Sequence, residues 1–388
     1  MNKMIPFVLA PLAVAMMLAS GVARADEQDE TIRRLEQRIQ ELDQRLESMA
    51  SSMEEQQSAD HGDSRVKIGG YGEMHYNHLN ENGTDTRTLD MHRIVLFFGY
   101  EFNERARFVT EWEVEHVLVS ASSSGAVEIE QAYVELDVTP ASQLRTGILL
   151  MPVGSVNETH EPPTFYGVER PIIETTIIPT TWYSAGVSYT QRFDNGVSYD
   201  LMLSEGLKTD DPTTSSDADP FDLKAGKQKG SLADAFDLAM TGRVTWRGAA
   251  GLELSGYAQY QPDLDQSAET SYAESATLLG GHVIYQLGDV TAKALYARWD
   301  LAGDDAKAAG KDVQAGGYVE LDWKAAEQWG MFVRHSAWSQ EADMDATQSD
   351  LGVNYYYLPE VVFKADYQLQ NEDAGDADGF NLGMGYHF

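Results

Sequence analysis

Charged residues recur at alternate positions in several stretches. Glu111-x-Glu113-x-Glu115 follows Arg107, and Lys364 is followed two residues on by Asp366. Residues two apart share one face of a β-strand, so these runs set charges in rows along a wall. A second set, Glu73-x-His75-x-x-His78 with His92, holds metal-ligand chemistry. Its spacing is not a zinc signature, and histidines of a strand near a loop are ordinarily solvated, so no metal and no cofactor are expected. Covalent chemistry is no better served. No serine stands in Gly-x-Ser-x-Gly. Gly69-x-x-Gly72 is not followed by the Lys-Ser or Lys-Thr of a phosphate loop. The chain has no cysteine, which removes thiolate nucleophiles and disulfides. His116 and His282 have no evident catalytic partners, and no enzyme is expected.

The densest functional chemistry lies in residues 152–182. This stretch holds Glu158, His160, Glu161, Glu169, Arg170 and Glu174, with five prolines between 152 and 179. It also carries Val153, Phe165, Ile172, Ile173, Ile177, Ile178 and Trp182. A loop both stiff and apolar has something to pack against. By contrast 205–232 reads as polar and flexible.

The elements that must position this loop follow from the rest of the chain. The 388 residues carry 62 Asp and Glu against 28 Lys and Arg, a net charge of −34. Such a chain repels phosphates, so nucleic acid is excluded as a partner. Residues 1–25 open with Lys3, run apolar from Ile5 to Leu18 and end Ala23-Arg24-Ala25. That is the form of a secretory signal peptide. In 26–57, Ile32, Leu35, Ile39, Leu42, Leu46, Met49 and Met53 are spaced by alternating threes and fours. This a/d heptad predicts a coiled coil about 40 Å long that self-associates. Residues 58–65 read as a linker.

From 66 to 388 the period becomes two. Leu238-Met240-Gly242-Val244-Trp246 alternates with Asp237-Ala239-Thr241-Arg243-Thr245, and other segments of about ten residues do likewise. Sixteen strands are predicted. Alternate connections are short, as at 102–104, 139–141 and 194–195. The others are longer: 80–87, 120–126, 152–182, 205–232, 262–274, 302–311, 340–347 and 371–378. An even number of alternating strands, with short turns at one end and long loops at the other, predicts an all-β chain. Its architecture is a 16-stranded antiparallel transmembrane β-barrel preceded by the short helical coil. Aromatics at strand ends, among them Trp323, Trp329, Tyr357 and Tyr367, suit bilayer interfaces. The alternation ending in Tyr386 and Phe388 resembles an outer-membrane assembly signal. Arg107, Glu111, Glu113, Glu115, Arg145, Arg192, Arg243 and Arg334 fall on the polar face and are read as pore wall. A barrel of about sixteen strands leaves an aqueous lumen, so the interior is expected to be a wet channel.

The heptad segment, the opening Lys67-Ile68-Gly69-Gly70-Tyr71-Gly72 and the stretch Gly154 to Trp182 resemble Gram-negative outer-membrane porins. The narrower likeness is to the phosphate-selective O and P type. The resemblance implies a homotrimeric passive channel among outer-membrane lipid and lipopolysaccharide, with the coil in the periplasm. It implies that loop 152–182 folds inward as a constriction. Phosphate-selective members are expected to carry a basic ladder. Here the chain is acidic and the loop's glutamates outnumber its single arginine. General diffusion of small solutes and ions, with a weak cation preference, is therefore the leading reading. An anion-selective phosphate or dicarboxylate porin is the alternative. A barrel enzyme or an envelope tether reaching periplasmic components ranks below both.

Overall fold

The computed structural model describes residues 65–120, 125–209, 219–266, 273–342, 344–372 and 375–388. The signal peptide, the coiled-coil seam and all but the last residue of the linker lie outside the described residues.

Sixteen strands form successive antiparallel hairpins. They begin with β1 (Val66–Glu81), β2 (Thr84–Asn103), β3 (Ala106–Glu115), β4 (Val127–Thr139) and β5 (Ser142–Leu150). Then come β6 (Tyr183–Arg192), β7 (Val197–Ser204), β8 (Ala239–Ala249), β9 (Leu252–Gln261) and β10 (Ala276–Leu287). The last six are β11 (Val290–Leu301), β12 (Val313–Ala326), β13 (Trp329–Glu341), β14 (Met344–Leu358), β15 (Val361–Glu372) and β16 (Ala377–His387). Each pairs with its neighbours and β16 pairs with β1, so the sheet closes into a barrel. The closing register runs from Tyr71 opposite His387 to Glu81 opposite Ala377. Phe388 extends it, exchanging backbone hydrogen bonds of 2.9 and 3.0 Å with Gly70. Closure leaves no unpaired edge, the condition for a sheet in lipid.

The period-two pattern sorts the side chains. Val283, Val319, Leu321, Val333, Leu351, Leu369 and Leu382 face outward and exposed, while Arg93, Glu111, Glu320, Arg334 and Lys364 face inward and are buried. Trp323, Trp329 and Tyr357 stand outward near the short turns, and Trp112, Tyr260 and Tyr367 outward towards the loops. The outer surface is thus an apolar band with aromatic borders.

The structure revises several connections. The predicted loop 80–87 is a two-residue turn, Asn82-Gly83, with φ of 52° and 83°. Positive φ at both positions is what Asn-Gly supplies in a tight hairpin. The flanking residues read as loop because strands that continue past the apolar band into water need no apolar face. The same reason shortens 340–347, since β13 reaches Glu341 and β14 starts at Met344, and 371–378, since β15 reaches Glu372 and β16 starts at Ala377. In the other direction, the strand expected from 233 begins at Ala239, and the one expected to reach 119 stops at Glu115. There His116 and Val117 take φ of 53° and 46°, which breaks the extended chain.

Candidate functional site

Loop 151–182 leaves the wall at the end of β5 and returns at β6. Its neck is locked by Asn157, which is buried. The Asn157 amide donates to the carbonyls of Met151 and Trp182 at 2.9 Å each, and accepts from the Trp182 N–H at 2.7 Å. Met151 N–H also donates to Trp182 O at 2.8 Å. The sequence carried no signal for Asn157 beyond its place among the prolines.

The outgoing arm, residues 155–170, runs along the charged lumen wall. Glu158 pairs with Arg243 of β8, which also holds Asp200 of β7 at 2.8 Å. His160 faces Glu111 of β3 and Glu130 of β4. At the tip the wall supplies donors to loop carbonyls. Lys364 Nζ donates to Phe165 O at 3.0 Å and Gly167 O at 2.7 Å, and Arg334 Nη2 donates to Tyr166 O at 2.7 Å. Asp366 accepts from the Val168 N–H at 2.6 Å. Glu169 meets His75 of β1 at 3.0 Å and accepts from Asn77 at 3.1 Å. The hydrogen bond from His75, with the Asn77 amide beside it, holds the Glu169 carboxyl below the usual carboxylate range. Burial pushes Glu161 up to about 7.

The wall makes room with glycine. A Cβ at Gly385 of β16 would stand 2.2 Å from Pro162 Cβ, and one at Gly316 of β12 would stand 2.9 Å from Ile173 Cδ1.

The returning arm, residues 171–182, is held differently. It forms one helical turn, α1 (Ile173–Thr176). Ile173, Ile177, Ile178 and Trp182 are buried in an apolar cluster with Leu278, Leu295, Trp299, Tyr318 and Trp338, all inward residues of β10–β13. Trp299 Nε1 donates to Ile177 O at 3.0 Å, and the Trp182 and Trp299 rings lie 5.9 Å apart. Glu174 joins the arms. It accepts from the Ser155 and Val156 N–H groups at 2.7 and 2.8 Å and from the Tyr318 hydroxyl at 2.9 Å.

This cluster corrects the expectation of a wholly wet interior. Along β11 the inward residues change from Lys293 near the turn to Leu295, Ala297, Trp299 and Leu301 near the loops. The loop-side half of the lumen at β10–β13 is a packed core. Loop 205–238 joins it through Leu207, Phe221 and Leu223, so that loop is not polar throughout.

Four of the wall arginines named from sequence are ion-paired. Arg107 binds Glu135 and Asp137, Arg145 binds Glu135, Arg243 binds Glu158 and Asp200, and Arg334 binds Glu320 at 2.5 Å. Arg192 is exposed beside the short turn after β6, bonded to Gln143, and stands away from the loop. Glu111 and Glu113 are buried in the wall, and Glu115 is half-buried at the loop end of β3. Arg170 lies in the loop and donates to Thr181 at 2.8 Å. The sequence reading missed Arg93, Glu130, Glu135 and Lys293 as wall groups, although each falls on the polar phase of its strand. Glu73, His75, His78 and His92 do not form one ligand set. Glu73 is paired with Arg93, His78 accepts from Arg87, and His75 stacks on His92 with centroids 4.6 Å apart. Two other groups bring ligand atoms close together: Asp90, His92 and His116, and Glu111, Glu130 and His160.

Comparison with known proteins places this architecture. An anion-selective porin from Comamonas acidovorans superposes with a TM-score of 0.61 at 12% identity, covering 83% of this chain and 99% of that one. The outer-membrane channel DcaP of Acinetobacter baumannii gives 0.58 at 13%, covering 83% and 97%. OmpF of Salmonella typhi, in complex with daunomycin, gives 0.57 at 14%, covering 84% and 98%. The fold is that of the sixteen-stranded porins. At such identities the likeness is one of fold. No family model matches. An uncharacterized protein of Aquifex aeolicus (strain VF5) is 40% identical over 183 residues, 47% of this chain and 41% of the relative. The match thus spans about two fifths of that relative's length. Loop 151–182 touches both sides of the barrel interior, and its contacts divide the wall it meets into a charged side and an apolar side.

Proposed function

We propose that this chain is a passive, water-filled channel of a Gram-negative outer membrane that passes small hydrophilic solutes and ions. Loop 152–182 is its constriction. The observation that carries the reading is a stiff loop pinned across the lumen of a closed barrel whose outer face is apolar and whose inner face is charged along the outgoing arm. Glu158, Glu169 and Arg243 keep part of their surface open beside it, and Glu169 does so most.

The preference is weakly for cations. Among the described residues the buried acids far outnumber the buried bases, which are Arg93, Arg170, Arg334 and Lys364. Arg334 and Lys364 also donate to loop carbonyls, and Arg107, Arg145 and Arg243 each face carboxylates. Paired arginines form no free ladder for phosphate. The anion-selective reading draws on the resemblance to phosphate-selective porins and on the Comamonas neighbour's description. A homotrimer suits this reading too, since the neighbouring OmpT of Vibrio cholerae is described in a trimer form (TM-score 0.54, 12% identity). The coil in residues 26–57 would then lie in the periplasm and assist assembly, with residues 1–25 removed on export.

Reconstitution in planar bilayers tests the proposal. Steady ohmic steps with a reversal potential of cation sign are expected. Silence refutes the channel, and clear anion selectivity refutes the preference.

A further inference from the structure

We propose that Glu111, Glu130 and His160 form a buried binding site for a first-row divalent metal ion, of which zinc is the natural probe, fastening the constriction loop to the barrel wall.

Three acceptor atoms converge there with no donor between them. His160 Nε2 stands 3.4 Å from Glu130 Oε2 and 3.7 Å from Glu111 Oε1, and the side chains are at most 2% exposed. None of these three atoms has a hydrogen-bond partner among the described residues. The other side of the imidazole is committed. Its Nδ1 lies 2.9 Å from the Asn157 carbonyl. A carbonyl only accepts, so Nδ1 carries a proton, and in the neutral imidazole Nε2 presents a lone pair to the two carboxylates. The second oxygen of Glu111 accepts from Gln131 at 2.6 Å, which turns Oε1 towards the histidine.

A lone pair aimed at two carboxylate oxygens is repulsive unless something positive lies between them. Ligand atoms about 2.1 Å from a tetrahedral zinc stand about 3.4 Å apart, close to the 3.4 and 3.7 Å from Nε2 to the two carboxylates, and all three atoms lie within 4.8 Å of one another. One imidazole with two carboxylates suits zinc and its neighbours better than calcium or magnesium, which take oxygen only. Asn157 and Gln131 are the outer partners that orient such ligands. The surrounding charge agrees. Glu113 and Glu161 are also buried here, while Arg93 is shared between Glu73 and, at 3.7 Å, Glu113, and Arg170 is bonded to Thr181. The site needs no part of the channel reading. Only its effect on conductance rests on that.

The full chain, folded in detergent and stripped with a chelator, is titrated with zinc by calorimetry, with bound metal counted after gel filtration. The chain carries His92→Asn and His116→Asn, so that the Asp90 group does not contribute. One tightly held equivalent per chain is expected, lost in Glu130→Gln and in His160→Asn, with the β-sheet circular dichroism of both unchanged. If a variant does not fold, the parent's stoichiometry decides. No bound equivalent in the parent, or equal binding in parent and folded variants, overturns the site and leaves protons alone to neutralise the cluster.

Discussion

The two arms of the lumen loop are fastened by opposite chemistry. Residues 155–170 are held by directed bonds to charged wall groups: Arg243, Lys364, Arg334, Asp366 and His75. Residues 171–182 are held chiefly by non-directional packing of Ile173, Ile177, Ile178 and Trp182 against β10–β13, with a few directed bonds such as that from Trp299 to Ile177 O. Directed bonds fix position and leave charge near the solute path. Packing fixes the loop whatever the salt, because apolar burial is not screened. On the proposed channel reading, one arm sets what passes, and the other keeps the loop in place.

If this division is right, the largest effect comes from the apolar arm. Trp182 is fully buried. Trp182→Ala should cost about 3–5 kcal/mol locally. The strand ladders continue round the barrel, so the loss should appear as a freed loop within an intact barrel. Single-channel conductance and proteolysis between 152 and 182 should both rise. An unchanged loop would mean that the polar arm holds it alone.

Next comes Lys364, a buried donor to two loop carbonyls. In Lys364→Met the carbonyls of Phe165 and Gly167 lose that donor, at about 1–3 kcal/mol for a buried group left unpaired. The returning arm still anchors the loop. Open-channel current noise should therefore increase while mean conductance changes little. A conductance change as large as that of Trp182→Ala would erase the distinction between the arms.

Much of this layout was legible in the chain, and the limits have physical causes. Period two showed the strands and sorted their faces, because only one side of each strand meets lipid. It failed at strand tips such as 80–87, where both sides meet water. The loop stood out by its prolines and isoleucines. Its partners did not, because a wall residue such as Gly385, which meets Pro162, comes next to it only through barrel closure. Nor does strand alternation tell whether an inward leucine meets water or another chain segment. For that reason Leu295 and Leu278 give no hint of the core they form with Trp182.

A smaller effect should separate the charges of the outgoing arm. Glu169 keeps about half of its side-chain surface open (47%), and Glu158 is bound to Arg243. Glu169→Gln removes a negative charge from the path. Glu158→Gln removes one of the two carboxylates that Arg243 faces and leaves it on Asp200 alone. Each should move the reversal potential in a salt gradient towards anions, and the pair together should move it further. The expected shifts shrink as salt rises, since exposed charges are screened within about 8 Å at physiological strength. Neutralising the buried Glu174 should move it far less, because that carboxylate is held by the loop's own N–H groups and Tyr318. A shift from Glu174→Gln equal to that from Glu169→Gln would refute the assignment.

The smallest effect lies where the returning arm meets loop 205–238. Lys227 donates to the carbonyl of Thr180. Burial, with Lys229 nearby, lowers its ammonium from 10.5 to about 8. The unfolded chain therefore holds this proton more tightly than the folded one. Between pH 8 and 10.5 the unfolded state binds more protons, so Lys227 adds stability as pH rises through that window and adds no slope below it. The neutral amine still donates to Thr180, so the contact survives the loss of charge. Lys227→Met removes this term and leaves the other titrating groups in place. The difference in thermal midpoint between wild type and variant should therefore move in favour of the wild type from pH 7.5 to 10.5. A difference that stays flat would place Lys227 in water in both states, and with it the junction between the two loops.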